Sequence, residues 1–288
     1  MISKKEYMRA GNKNIKQSIK TKLIYCILFT TSTLMILPFV WALLVSFMRN
    51  SDIISYPPRV WPKVWVLLNY TTLTETAPFF RFFLNSFLIS FLSVLFIAIT
   101  CPMAGYVLAK FKFKGMNLIF AMILGTTFVS LETYIIPLYL IVKSFGWINT
   151  YQGMIFPLLI SSSGIFLLRQ YIKGIPDSLI ESSRIDGSSE FGIFWKIIFP
   201  LSLPATSAII IIHWIYTWSQ VFLWFLIMAN TQRLFPMEIG LSFFQRQFST
   251  DYGGLMAAAI VTVIPTLLFF LIFRTKIIDS IANTGTKY

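Results

Sequence analysis

The chain has 288 residues, 56% of them hydrophobic and only 12% charged, with a mean hydropathy of +0.73. Soluble domains carry about a quarter charged residues, so this composition excludes an ordinary soluble protein and makes lipid the main solvent. The net charge of +13 reads as the lysine and arginine excess of membrane-protein loops; no basic stripe is interleaved with a folded polar surface, which argues against nucleic acid as a partner.

A membrane span needs about 20 mostly apolar residues, so the uncharged runs predict the helices in chain order. Residues 23–48 form the first. The basic head before it (Lys16, Lys20, Lys22) is followed by an apolar run far longer than that of a signal peptide, so this helix is expected to stay in place. Residues 82–109 form the second span, and 115–142 the third, interrupted only by Glu132. The fourth starts near Tyr151, the fifth occupies 203–228 and the sixth 252–273. The outer segments 49–81 and 231–251 read mostly as irregular loops. The expected fold class is thus an all-α membrane protein of about six transmembrane helices. It divides into a basic N-terminal segment (1–22), a transmembrane domain (23–276) and a C-terminal tail (277–288).

Orientation follows from the basic residues. With the N-terminus inside, 17 of the 24 Lys and Arg fall on the inner side and 7 on the outer, which predicts that both termini are cytoplasmic. Cys26 and Cys101 lie in apolar runs without metal-ligand spacing and read as buried thiols. His213 is the only histidine and has no neighbouring Cys, Asp or Glu, so it forms no metal site or catalytic dyad and reads as a packing residue of the fifth span.

The most informative stretch is the inner loop 173–200, Ile175-Pro-Asp-Ser-Leu-Ile-Glu-Ser-Ser-Arg-Ile-Asp-Gly-Ser-Ser-Glu-Phe-Gly-Ile-Phe-Trp-Lys-Ile-Ile-Phe-Pro200 at its centre. Pro176 suits a helix start and Gly187 the left-handed cap that ends that helix. Ser188 or Ser189 then caps a second helix, with Glu190 in its first turn. Phe191, Phe194, Trp195, Ile198 and Phe199 recur at helical spacing, which predicts an amphipathic helix lying under the membrane.

This segment resembles the EAA loop of permease subunits of bacterial ATP-binding-cassette importers, in the form found in the carbohydrate branch. Glu181, Asp186, Gly187, Ile197 and Pro200 sit at that family's spacing, with Ser182 and Ser183 in place of two alanines and Phe199 in place of a leucine. Asn85-Ser86, Ile136-Pro-Leu-Tyr139 and the tail Ser280-Ile-Ala-Asn-Thr-Gly-Thr-Lys287 are similar to further family segments, so the likeness to the smaller permease of a maltose-type transporter runs from the first helix to the tail. Trp218-Ser-Gln220 stands where many members have Trp-Asn-Glu.

The resemblance implies the type I importer permease fold in the bacterial cytoplasmic membrane, and a non-enzymatic chain without cofactor or metal. It implies a sugar or oligosaccharide as cargo, a second homologous permease, two ATPase subunits and an external sugar-binding protein. Glu181, Ser182, Ser183, Asp186 and Gly187 would then couple the chain to the ATPases. No lysine directly follows a glycine, so a phosphate-cradling Walker loop is missing and ATP is expected to be hydrolysed by the partner subunits.

Glu132 is the only acid inside a predicted span, where burying a charge costs about 3 kcal/mol unless it meets a cavity or a partner. Glu132, Trp218 and Gln220 are therefore candidates for the substrate route, alongside a purely structural place for each; Trp214, Tyr216 and Trp224 suit sugar stacking or packing equally. Alternatives are an importer for glycerol phosphate or peptide, an ion-coupled transporter, and a lipid-modifying enzyme. The last two need charged relays or clustered acids and histidines that this sequence does not display. The topology has a direct check: a cysteine placed at Ser189 should resist an impermeant maleimide added to intact cells and react after permeabilisation. Modification in intact cells would invert the orientation.

Overall fold

The computed structural model describes residues 4–57, 59–244 and 251–285, with side chains described for 20–57, 59–75, 77–244 and 251–273. All regular structure among them is helical. The basic residues Lys4 to Lys16 and Arg274 to Lys287, and the Ser280–Lys287 motif, lie outside the described side chains.

In chain order the helices are α1 (Lys4–Ser46), α2 (Asn50–Ile53), α3 (Leu68–Thr76), α4 (Phe79–Lys110), α5 (Met116–Thr126), α6 (Leu131–Ser144) and α7 (Tyr151–Ile155). They continue with α8 (Ser162–Lys173), α9 (Asp177–Ile185), α10 (Glu190–Ile193), α11 (Phe199–Ser219), α12 (Phe222–Met228), α13 (Met237–Ser242) and α14 (Tyr252–Gly285). Five stretches are long and apolar enough to cross a membrane: Lys20–Ser46, Phe79–Lys110, Tyr151–Lys173, Glu190–Ser219 and Tyr252–Phe273. The pair α5–α6 makes a sixth if counted as one span, bent by 106°.

That bend corrects the straight third helix expected from the sequence. The hydroxyls of Thr126 and Thr127 turn back to the carbonyls of Ile123 and Leu124 at 2.7 Å each, and Ser130 is extended at ψ 153°, so α5 ends and α6 starts afresh. Glu132 accordingly sits in the first turn of α6, not at mid-helix.

The fifth span is corrected as well. It begins at Glu190 instead of Leu203, because a π turn over Phe194–Ile198 joins α10 to α11 without a break. The π turn also shifts the side-chain register. Phe194 and Ile198 are buried while Phe191 and Trp195 stay exposed, so the five predicted aromatic and aliphatic positions do not form one face. Beyond Ser219 the chain breaks, and α12 is a separate short helix. The outer segments are also more ordered than expected, since they contain α2, α3 and α13.

The chain divides into two compact units. In the first (1–70 with 251–260), the end of α1 is tied down by Asn69, whose side-chain amide donates to the carbonyls of Ser46 and Met48 at 2.8 Å. Asn50 donates to the Asp251 carboxylate at 3.0 Å. Side chains 20–41 of α1 are all exposed within the chain, as suits a helix bathed by lipid or by another subunit. Cys26 is among them, so only Cys101 is the buried thiol expected.

In the second unit, α4 is the central helix and packs against α8 and α11. Without a hydrophobic driving force between helices in lipid, close approach depends on small residues. Ser90 and Ser93 of α4 and Ser202 and Thr206 of α11 are fully or almost fully buried. Where α4 meets α8, a Cβ on Gly105 would stand 3.0 Å from both Leu168 Cβ and the Arg169 backbone nitrogen. Gly105→Val should therefore force these helices apart at a cost of about 1–3 kcal/mol. The expected result is a lower melting temperature of the purified protein in detergent; unchanged melting would mean that α4 and α8 yield freely.

Candidate functional site

The segment 173–200 folds locally as its residues dictate. Pro176, at φ −59° and ψ 133°, precedes α9, and Asp177 lies in its first turn. Gly187 adopts φ +80° and closes a Schellman ending: its N–H donates to the Arg184 carbonyl at 3.1 Å, and the Ser188 N–H donates to the Ser183 carbonyl at 3.0 Å. Of the two predicted caps, Ser189 is the one used, its hydroxyl accepting from the Gly192 N–H at 3.2 Å. The result is helix, glycine corner, and a second helix that runs on into the fifth span.

Ile180 is the anchor of α9, 2% exposed in a core shared with Ile172, Ile175, Ile193 and Phe194. The opposite face is open. Glu181, Ser182, Asp186 and Gly187 are exposed and Ser183 is half-buried; the hydroxyls of Ser182 and Ser183 both donate back to the Leu179 carbonyl. Ile185 is 86% exposed beside them and Leu179 43%. The five sequence-predicted coupling residues are thus gathered on one short helix and its corner. Sequence reading missed Ile185, whose only signal is an apolar side chain in an otherwise polar run.

The loop is held by charge. Lys110, at the end of α4, donates to the Asp177 carboxylate at 2.6 Å and to the Ile175 carbonyl. Its hydrogen bond and positive charge hold the Asp177 carboxyl below the usual carboxylate range.

The three substrate-route candidates are not brought together. Glu132 is exposed, within electrostatic reach of Tyr216. Nearby, Tyr134, His213, Tyr216 and Trp224 line a cavity of about 70 Å³. His213 faces the Leu158 carbonyl at 3.0 Å, a packing arrangement of the kind expected. Trp218 points elsewhere: its ring is 2% exposed, stacks on Trp214 at 5.5 Å, and its N–H donates to the Thr262 carbonyl at 3.0 Å. Gln220 is exposed at the break between α11 and α12. Close to the break lies a residue that the sequence did not single out: the half-buried Glu238 carboxyl, which is near the Val221 and Phe222 backbone and which burial pushes up to about 7.

Five or six helical spans, with a helix–corner–helix loop between two of them, are the architecture of a multi-pass membrane protein. The chain belongs to the family described as binding-protein-dependent transport system inner membrane component, whose model matches residues 15–279. It is 34% identical over 227 residues to the arabinooligosaccharides transport system permease protein AraQ of Bacillus subtilis (strain 168), covering 78% of this chain and 80% of that one. It is 29% identical to the diacetylchitobiose uptake system permease protein NgcG of Streptomyces coelicolor (90% and 86% covered). It is 28% identical to the sn-glycerol-3-phosphate transport system permease protein UgpE of Escherichia coli (86% and 90% covered). In fold it matches a chain of a bacterial importer of the acidic polysaccharide alginate, with a TM-score of 0.77 at 18% identity over 90% of this chain and 97% of that one.

The Gly187 corner has a measurable consequence. A β-branched side chain at φ +80° adds strain of about 1–2 kcal/mol, so Gly187→Val should raise amide hydrogen exchange at 186–188 about tenfold while the spans keep their protection. Exchange at the wild-type rate would mean that the corner tolerates any residue.

Proposed function

We propose that this chain is one permease subunit of an ATP-driven importer and moves a sugar or oligosaccharide across the cytoplasmic membrane. The loop 173–200 docks on one of two ATPase subunits, a second homologous permease completes the pathway, and an external binding protein delivers the cargo. The observation that carries the cargo class is the similarity to AraQ, a permease of an arabinooligosaccharide system, supported by that to NgcG.

In this reading Glu181, Ser182, Ser183, Asp186 and Gly187 form the docking face, with Ile185 as an apolar contact. The spans alternate between outward and inward openings, and nucleotide bound to the ATPases biases that population. Glu132 and Gln220 are exposed where they can line the route, Glu132 as an acid at the start of α6 and Gln220 at the α11–α12 break. Trp218 serves from behind, fixing α11 against α14 through its bond to Thr262. Both termini are cytoplasmic.

The similarity to UgpE makes glycerol phosphate the competing cargo. The test uses the complex purified with its ATPases and binding protein in vesicles, offered arabinooligosaccharide, diacetylchitobiose or glycerol 3-phosphate. Oligosaccharide is expected to bind the delivery protein, to stimulate ATP hydrolysis and to enter the vesicles. Stimulation by glycerol 3-phosphate alone would replace the cargo class while leaving the importer intact.

A further inference from the structure

The loop touches more of the protein than the span it leads into. Tyr106 and Lys110 stand four residues apart on α4, one helical turn, and therefore on the same face. Lys110, its side chain only 6% exposed, reaches the entrance of α9 through Asp177 and the Ile175 carbonyl. Tyr106, 4% exposed, donates its hydroxyl to Glu190 Oε2 at 2.7 Å, beyond the Gly187 corner. Glu190 Oε1 accepts in turn from Arg184 Nε at 2.6 Å, so the last turn of α9 is tied to the first turn of α10. Rings fill the space between: Tyr106 packs edge-on to Phe111 at 5.4 Å and against Phe194 at 6.1 Å, and the Arg184 guanidinium lies 6.0 Å over Phe111. One face of α4 thus grips the loop on both sides of its corner.

We infer that Tyr106 and Lys110 are positioning residues that make the loop and the loop end of α4 one rigid body, so that a push on the loop moves α4 as well as α11. The inference rests on the coupling role proposed for the loop. The α11 connection is covalent, through the π turn, and cannot slip; the α4 connection is a pair of charge-assisted hydrogen bonds from two buried donors, Tyr106 and Lys110, to loop carboxylates that stay open to water on their far side. A lysine and a tyrosine this deeply buried at a helix end fix the angle of the loop as well as its position. Because α4 is also the helix against which α8 and α11 pack, displacement of its end reaches the centre of the second unit.

The test measures distances within the assembled complex. With Cys26→Ser and Cys101→Ala as background, spin labels are placed at Val107→Cys on the exposed side of α4 and at Ser188→Cys in the loop, and a control pair at Leu118→Cys and Ser188→Cys. Distances are recorded with and without ATP bound to the partner ATPases. The 107–188 distance is expected to stay fixed while the control distance shifts. In the combined variant Tyr106→Phe, Lys110→Met, which keeps the ring packing, the 107–188 distance should become nucleotide-dependent, and sugar moved per ATP should fall several-fold. A role in stability alone would lower the yield of complex and reduce uptake and hydrolysis in parallel, leaving their ratio unchanged. A nucleotide-dependent 107–188 distance in the unsubstituted clasp, or an unaltered distance and ratio in the variant, overturns the inference. If the chain does not assemble with ATPases at all, it is the coupling role of the loop that fails.

Discussion

Every backbone N–H and carbonyl inside a bilayer must find its partner within the protein, and this constraint governs where the chain may stop being helical. At several interruptions a side chain takes up a free backbone group. Thr126 and Thr127 take up carbonyls at the end of α5. Thr150, Ser161 and Ser189 accept the free N–H groups at the starts of α7, α8 and α10. Polar residues thus serve two places in an otherwise apolar chain: helix crossings, as with Ser90 and Ser202, and the points where helices begin or end, which are also where a moving pathway needs joints.

The same economy shapes the contact between the loop and the spans. In lipid, apolar packing alone holds helices weakly, so close crossings use small residues such as Gly105 and Gly164, and specific geometry is set by polar contacts at the helix ends. Lys110 and Tyr106 lie at such an end. They tie a loop whose inner side is anchored by Ile180 and whose outer side is left free for another protein. A rigid inner side with an exposed outer side is the arrangement that a force-transmitting element requires.

Much of this was legible in the sequence. The lengths of the uncharged runs located the first, second, fourth and sixth spans closely, because span length is fixed by bilayer thickness. Gly187 and Ser189 were readable because a left-handed corner and an N-cap each demand particular residue types. The bend at 127–130 was not, since threonine is equally at home in an unbroken span, as Thr31 of α1 and Thr217 of α11 show with the same kind of back-bond, and the break lies in the extended backbone at Ser130. The start of the fifth span at Glu190 was hidden because a π turn alters register without altering composition. Trp218 and Gln220 differ in exposure through the way α11 faces its neighbours, which spacing does not encode. Glu238 was invisible because its burial comes from packing between segments apart in sequence, which spacing does not encode.

The central claim is that the exposed face of the loop meets an ATPase. A photo-reactive benzoylphenylalanine at Ile185, the most exposed apolar side chain of α9, tests it in the intact membrane. The account predicts a cross-link to a nucleotide-binding subunit, at higher yield when that subunit holds ATP. Cross-linking only to lipid, or only to another copy of a membrane-spanning chain, would contradict it.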